Sequence, residues 1–232
     1  MNTQQILKNT VSAKNQLKKD QYVSFLENKT DSTDKKLKIA FVGNSITRHG
    51  VAPHIGWMGD YGMAASCAEK DYVHILLNEL NRRYGVVQAC ICNTSVWERG
   101  YKNGKEHHCL YQAVKDFAPD IMVMRFVENC QVADFEYETF KTAYREFLDY
   151  LKSDHTTVFL TSSFWIHPGD SAIEEIGDEK RYPYIYLGYL GEMDEMKAIG
   201  HFEHSGVANH PGDLGMQTIA NRIMQKMEEM GC

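Results

Sequence analysis

No run of apolar residues in this sequence approaches the roughly 20 that a bilayer-spanning helix needs. The first 19 residues also lack the apolar centre of a secretory leader, so no membrane association is expected and the expected compartment is the cytoplasm. Basic runs interleaved with aromatics are missing too. With 25 Lys and Arg against 31 Asp and Glu, the net charge of -6 repels a phosphate backbone and argues against nucleic acid as a partner. Cysteine is scarce: six residues, at positions 67, 90, 92, 109, 130 and 232, are too few for a disulfide framework in 232 residues. Cys90 and Cys92 sit two apart in a predicted strand, where side chains point the same way and are badly placed to bond each other, so reduced thiols are expected. No Pro/Gly/Ser-rich or single-charge stretch marks a linker and no internal repeat appears, which leaves one core. What is present, 43% hydrophobic and 24% charged residues, is the composition of a globular protein.

Residues 4 to 28 scatter apolar positions among polar ones in a way that permits an irregular helix, so residues 1–36 read as a helical N-terminal extension and 37–232 as the main domain. Strands are predicted at 37–42, 86–92, 121–125, 157–162 and 184–187. Helices are predicted at 66–84, 110–117, 135–152, 171–179 and 213–230. Strands alternating with helices of this length build βαβ units, hence a three-layer α/β/α, flavodoxin-like sandwich around a mostly parallel five-stranded sheet. In such sheets, function collects at the carboxyl ends of the strands.

Gly43-Asn44-Ser45-Ile46-Thr47 follows the first predicted core strand directly, so Ser45 would emerge at that carboxyl edge. A lone Gly-x-Ser is more often a simple turn, and it gains meaning only with a base. His210-Pro211-Gly212-Asp213 precedes an amphipathic helix carrying Ile219, Ile223 and Met227 on one side, with Asp213 suited to cap it. A serine hydroxyl is a weak nucleophile until a base takes its proton, and histidine, whose ordinary pKa is about 6.5, does so near neutrality.

These blocks resemble those of the SGNH/GDSL serine hydrolases. Gly43-Asn44-Ser45 is similar to that family's first block, His210-Pro211 to its last, and the segment from Pro119 to Asn129 stands where its strand and Gly-x-Asn block belong. The resemblance runs from about residue 37 to 230. It implies Ser45 as nucleophile, His210 as general base, and an oxyanion hole built from the Ser45 backbone N–H and Asn129. It implies no cofactor and no metal. Three positions depart from the pattern. The second block lacks its glycine in the run Asn93-Thr94-Ser95-Val96-Trp97-Glu98-Arg99, which makes the backbone N–H of Ser95 or Trp97 a candidate substitute donor, and Val127 replaces the glycine of the third. Val207 stands where the family places an aspartate, three residues before the histidine. An orienting acid is worth about ten thousand-fold in well-studied triads. Three accounts remain open: Glu203 reaches His210 from another direction, a backbone carbonyl near Val207 holds the tautomer, or Glu128 serves.

Aromatic and polar residues crowd the same inferred loops: His54, Trp57 and Tyr61 after the first strand, Trp97, Glu98, Arg99 and Tyr101 after the second, Trp165 and His167 after the fourth. Trp57, Trp97 and Glu98 are expected to contact substrate, and flat rings with polar tips suit a small-molecule ester such as an acylated sugar. Two rival readings are a metal hydrolase using His201, Glu203, His204 and His210, and a non-catalytic module binding a phosphorylated ligand. The first lacks a ligand spacing such as His-Glu-x-x-His, and the second lacks the several glycines that let backbone amides wrap phosphate.

Overall fold

The computed structural model describes residues 22–27, 37–85 and 87–232. Strands β1 (Val23–Glu27), β2 (Leu37–Gly43), β3 (Val87–Asn93), β4 (Ile121–Arg125), β5 (Thr157–Thr161) and β6 (Tyr184–Ile185) form one sheet of order β1-β3-β2-β4-β5-β6. From β3 through β6 every neighbouring pair is parallel, as the βαβ pattern predicts. A strict period of two sends alternate side chains to opposite layers. Ile39, Phe41, Ala89, Ile91, Ile121, Val123 and Phe159 face one layer, while Ala40, Val42, Cys90, Cys92, Met122, Met124, Val158 and Leu160 face the other. Cys90 and Cys92 thus share a face, and none of the six cysteines is bonded.

The first layer is completed by α1 (Tyr72–Tyr84) and by the long C-terminal helix Asp213–Glu229. Asp71 caps α1 by accepting from the His74 N–H at 2.7 Å. The second layer holds α2 (Ser95–Gly100), α3 (Gln112–Phe117), α4 (Tyr137–Leu151) and α5 (Gly169–Lys180). Phe140, Ala143, Tyr144, Phe147, Leu148 and Leu151 make one buried stripe of α4 at three- and four-residue spacing. A short helix, α6 (Ser205–Ala208), leads into the C-terminal one, hereafter α7. Among the described residues no helix is long and apolar enough to cross a membrane.

Two expectations change. Residues 23–27 are not helical: they pair antiparallel with β3, Val23 opposite Cys92 and Glu27 opposite Gln88, and make the sheet six-stranded. The open edge of β3 offers a row of unpaired N–H and C=O groups, and satisfying them outweighs a weak local preference for helix. The rest of the predicted extension lies outside the described residues. Asp213 is the first residue of α7 and not its cap; Gly212 holds that position, and the Asp213 carboxylate instead accepts from Ser66 N and Oγ, both at 2.8 Å.

Candidate active site

β2 ends in a tight turn in which the Asn44 carbonyl accepts from Thr47 N at 3.0 Å and Arg48 N at 2.9 Å. Only glycine fits before it. A Cβ on Gly43 would lie 1.8 Å from Thr47 Oγ1 and 2.8 Å from the Arg125 carbonyl. The turn lifts Ser45 to the carboxyl edge of the sheet, on the wall of a cleft of about 890 Å³ that Asn93, Ser95, Val96, Arg99, Asn129 and His210 also line.

His210 is delivered from the far end of the chain by α6, its N–H donating to the Val207 carbonyl at 3.0 Å and its own carbonyl accepting from Ala198 N at 2.9 Å. Its Nε2 lies 2.8 Å from Ser45 Oγ, and its Nδ1 lies 2.7 Å from the Gly206 carbonyl oxygen. A carbonyl can only accept, so Nδ1 carries the hydrogen and Nε2 is left with a lone pair aimed at the serine hydroxyl. That is the tautomer a general base requires. The Trp165 ring stands edge-on to the imidazole, centroids 5.2 Å apart, and covers one of its sides.

Burial of this imidazole, with the Gly206 carbonyl opposing and the nearby His49 reinforcing, pushes its pKa down to about 4. Among the described residues no carboxylate is hydrogen-bonded to the ring to stabilise the imidazolium. An imidazole serves as a base only when neutral, so a contribution of His210 as general base would persist above that value and disappear as pH falls through it. A kcat/KM profile should therefore show its final, complete acid limb near 4 and not near the 6.5 of free imidazole; a complete limb at 6.5 would contradict the depressed value.

None of the candidate acids reaches His210. Glu203 is exposed and makes no bond to the imidazole. Val207 is fully buried against Ala52, Trp57, Met63, Ala64 and Ala198. Glu128 is engaged elsewhere, as described below. The geometry thus places a backbone carbonyl where the orienting acid was sought, and Glu203→Gln should leave kcat near that of the wild type. A steep fall in kcat for that variant, at unchanged thermal stability, would restore Glu203 to the site.

Asn129 sits on the cleft wall, held at three atoms. Its backbone N–H donates to Glu98 Oε1 at 3.1 Å, its Nδ2 to Glu98 Oε2 at 2.8 Å, and its Oδ1 accepts from Arg99 Nη2 at 3.1 Å. An acceptor on one side and a donor on the other leave the amide no reason to flip, and the second Nδ2 hydrogen remains available. The Ser45 N–H has no protein acceptor among the described residues. The Ser95 N–H does: it donates to Asn93 Oδ1 at 2.9 Å, which removes Ser95 as an oxyanion donor.

Behind Asn44 lies a buried polar network. Asn44 Nδ2 donates to Glu98 Oε1 at 3.1 Å and to Glu128 Oε2 at 2.5 Å. Arg125 Nη2 donates to Asn44 Oδ1 at 3.0 Å and to Glu128 Oε1 at 2.8 Å. Glu128 also accepts from the N–H groups of Val127 and Phe164. Although burial works against its charge, Arg125 and these donors hold Glu128 below the usual carboxylate range. Glu98 is ion-paired with no cation among the described residues; burial first, then the Glu128 charge, raise it to about 7 against the donors it accepts from. Removing one partner of such a buried ion pair typically costs about 3–5 kcal/mol, so Arg125 and Glu128 anchor the site as a unit.

The three expected substrate contacts are not on the cleft surface. Trp97 is fully buried on α2, stacked on Phe147 at 4.8 Å and edge-on to Phe126 at 5.4 Å. Truncating a core aromatic of this kind typically costs about 3–5 kcal/mol of stability. Trp57 is also buried. Its Nε1 donates to the His49 carbonyl at 3.0 Å and its ring packs on Tyr61 and Phe202, bracing the cleft wall from behind. Glu98 is buried and touches Asn129 from the rear. The Gly206 carbonyl stands where one of the three accounts put a backbone carbonyl near Val207, and Trp165 was expected only as a loop aromatic; sequence reasoning did not single out Arg125. Of the residues the metal reading would use, the His204 Nδ1 accepts from Val207 N and His210 Nε2 contacts Ser45; among the described residues no group of three metal-binding side chains comes together.

No family model matches the sequence, and no curated protein matches it. Solved structures do match the fold. A psychrotrophic esterase, EstA, from Pseudoalteromonas sp. aligns over 83% of this chain and 97% of its own at 10% identity with a TM-score of 0.54. A family two carbohydrate esterase from Clostridium thermocellum, in complex with cellohexaose, aligns over 86% and 66% at 14% identity with a TM-score of 0.54. A two-domain esterase active on acetylated mannans aligns over 84% of this chain and 50% of that one at 18% identity, TM-score 0.53. The chain shares its α/β/α fold with these esterases.

Proposed function

We propose that this protein is an acyl-ester hydrolase or acyltransferase acting through a Ser45–His210 dyad, on a small acyl group carried by a carbohydrate-like or other polar alcohol. The observation that carries the reading is the contact of Ser45 Oγ with His210 Nε2 at 2.8 Å while Nδ1 is tied to the Gly206 carbonyl at 2.7 Å. The fold it shares with esterases supports the chemistry, and the sugar-bound and mannan-active structures among those relatives support a carbohydrate alcohol.

In this reading His210 Nε2 takes the hydroxyl proton as Ser45 Oγ attacks the ester carbonyl carbon. Negative charge develops on the carbonyl oxygen, where the Ser45 N–H and the free Asn129 Nδ2 hydrogen receive it. The tetrahedral intermediate collapses, His210 returns the proton to the departing alkoxide, and an acyl-serine remains. Water or a second alcohol then repeats the sequence and frees Ser45. No metal or cofactor takes part in these steps.

A fluorophosphonate probe followed by peptide mass spectrometry tests the assignment. One adduct, on the peptide bearing Ser45, is expected, and its formation should slow sharply in His210→Ala. Labelling at any other serine would remove Ser45 from the role.

A further inference from the structure

The cleft contrasts in charge with the chain that builds it. The whole molecule carries a net charge of -6. Yet the lining holds two arginines, Arg48 and Arg99, several histidines, and a single carboxylate, Asp60. That carboxylate is already matched: Arg48 Nε and Nη2 grip Asp60 in a two-pronged ion pair, both contacts at 3.0 Å. Arg99 is left over. Its guanidinium is exposed, donates to Asn129 Oδ1 at 3.1 Å, and faces no carboxylate among the described residues. Cations elsewhere on this surface mostly have acids beside them, as Arg83 has Glu79 and Glu228 and Lys141 has Glu175 and Glu179. His204 adds a donor: its Nδ1 accepts from the Val207 N–H at 3.4 Å, which leaves the hydrogen on Nε2.

A guanidinium one hydrogen bond away from the proposed oxyanion donor, at the mouth of a cleft with no free acid among the described residues, is arranged to receive a negative group. Accordingly, and resting on the acyl-ester reading above, we infer that the substrate carries an anion, a carboxylate or phosphate, which Arg99 binds through its remaining N–H donors while Ser45 attacks the ester. The guanidinium fork matches the two oxygens of such a group, and the surplus positive potential steers it into a chain that otherwise repels anions. Substrate binding would also set Asn129 in place, because Arg99 holds both.

Matched esters provide the test. On the acyl side, the nitrophenyl half-ester of succinate is compared with nitrophenyl butyrate. On the alcohol side, an acetylated methyl glucuronoside is compared with the corresponding glucoside. The expected result is that one anionic ester exceeds its neutral partner in kcat/KM by about 10- to 100-fold, the range of a charged hydrogen bond. That ratio should collapse toward one in Arg99→Gln and fall with added salt in the wild type. Which pair shows the preference identifies the end of the substrate that bears the charge. Equal use of neutral and anionic esters, or an equal loss of both in Arg99→Gln, would leave Arg99 as a prop for Asn129 and overturn the anion site alone. Failure to cleave any ester, together with no fluorophosphonate adduct on Ser45, would overturn the ester-hydrolase reading and the anion site with it.

Discussion

Ser45→Ala, His210→Ala and the double variant are expected to lose nearly the same turnover, on the order of 10⁴- to 10⁶-fold in kcat, and not the product of two separate losses. In the proposed dyad the two side chains are one device: the hydroxyl attacks only when Nε2 removes its proton, and Nε2 has no other proton to remove at that stage. Once either is gone, the other contributes almost nothing, and what remains is binding and the oxyanion donors. Neither substitution should disturb the fold. Ser45 and His210 lie on the cleft wall, and the turn that carries Ser45 is held by backbone bonds from Asn44 and by Gly43, none of which the substitutions touch. Single-turnover rates with a nitrophenyl ester, alongside thermal melts of each variant, measure this. Losses that multiply in the double variant would mean that the serine and the histidine act in separate steps, and the dyad would have to be abandoned.

The parts of this architecture legible in the sequence are those that leave a periodic or a local mark. Short apolar runs mark β2 through β5, and Gly43-Asn44-Ser45 at a strand end puts the serine on the carboxyl edge. Trp97 and Glu98 show where that logic stops. Both follow β3 in a loop that opens on the cleft, yet α2 turns the indole into the aromatic layer against Phe147 and turns the carboxylate inward. Nothing in the local pattern separates an aromatic that covers a ligand from one that covers a helix. Burial of Glu98 is tolerable only because Asn44 and Asn129, 54 and 31 positions away, bring donors to it, and that is a property of the fold. The Gly206 carbonyl has no letter at all: any residue there offers the same oxygen. The charge of Arg125 in an apolar strand was the one readable hint of a buried network, since an arginine so placed demands partners.

Glu98→Gln should be nearly as damaging as loss of the oxyanion asparagine itself, although Glu98 touches no substrate. Its two oxygens accept from Asn44 Nδ2, Asn129 N and Asn129 Nδ2. Every partner is a donor. A glutamine of the same shape must present an NH₂ to at least one of them, and the least restrained is the Asn129 side chain, which would rotate its amide away from the reacting carbonyl. Loss of one oxyanion donor typically lowers kcat by about 100- to 1000-fold, which bounds the effect of Glu98→Gln and sets the scale for Asn129→Ala. Both should act on kcat with little change in KM, and the double variant should be no worse than Asn129→Ala alone, because the carboxylate reaches the reacting carbonyl only through that asparagine. A merely structural role for Glu98 would not move the pH profile, whereas positioning does. The carboxylate form holds Asn129, and burial with the Glu128 charge raises Glu98 to about 7, so protonation releases Asn129 as pH falls through that value. The wild-type kcat should therefore drop by a partial step near 7, well above the complete loss near 4 that belongs to His210, and Glu98→Gln should abolish the upper step while keeping the lower. A Glu98→Gln enzyme with wild-type kcat, or one that still shows the step near 7, would separate Glu98 from the oxyanion hole and leave the buried network as packing alone.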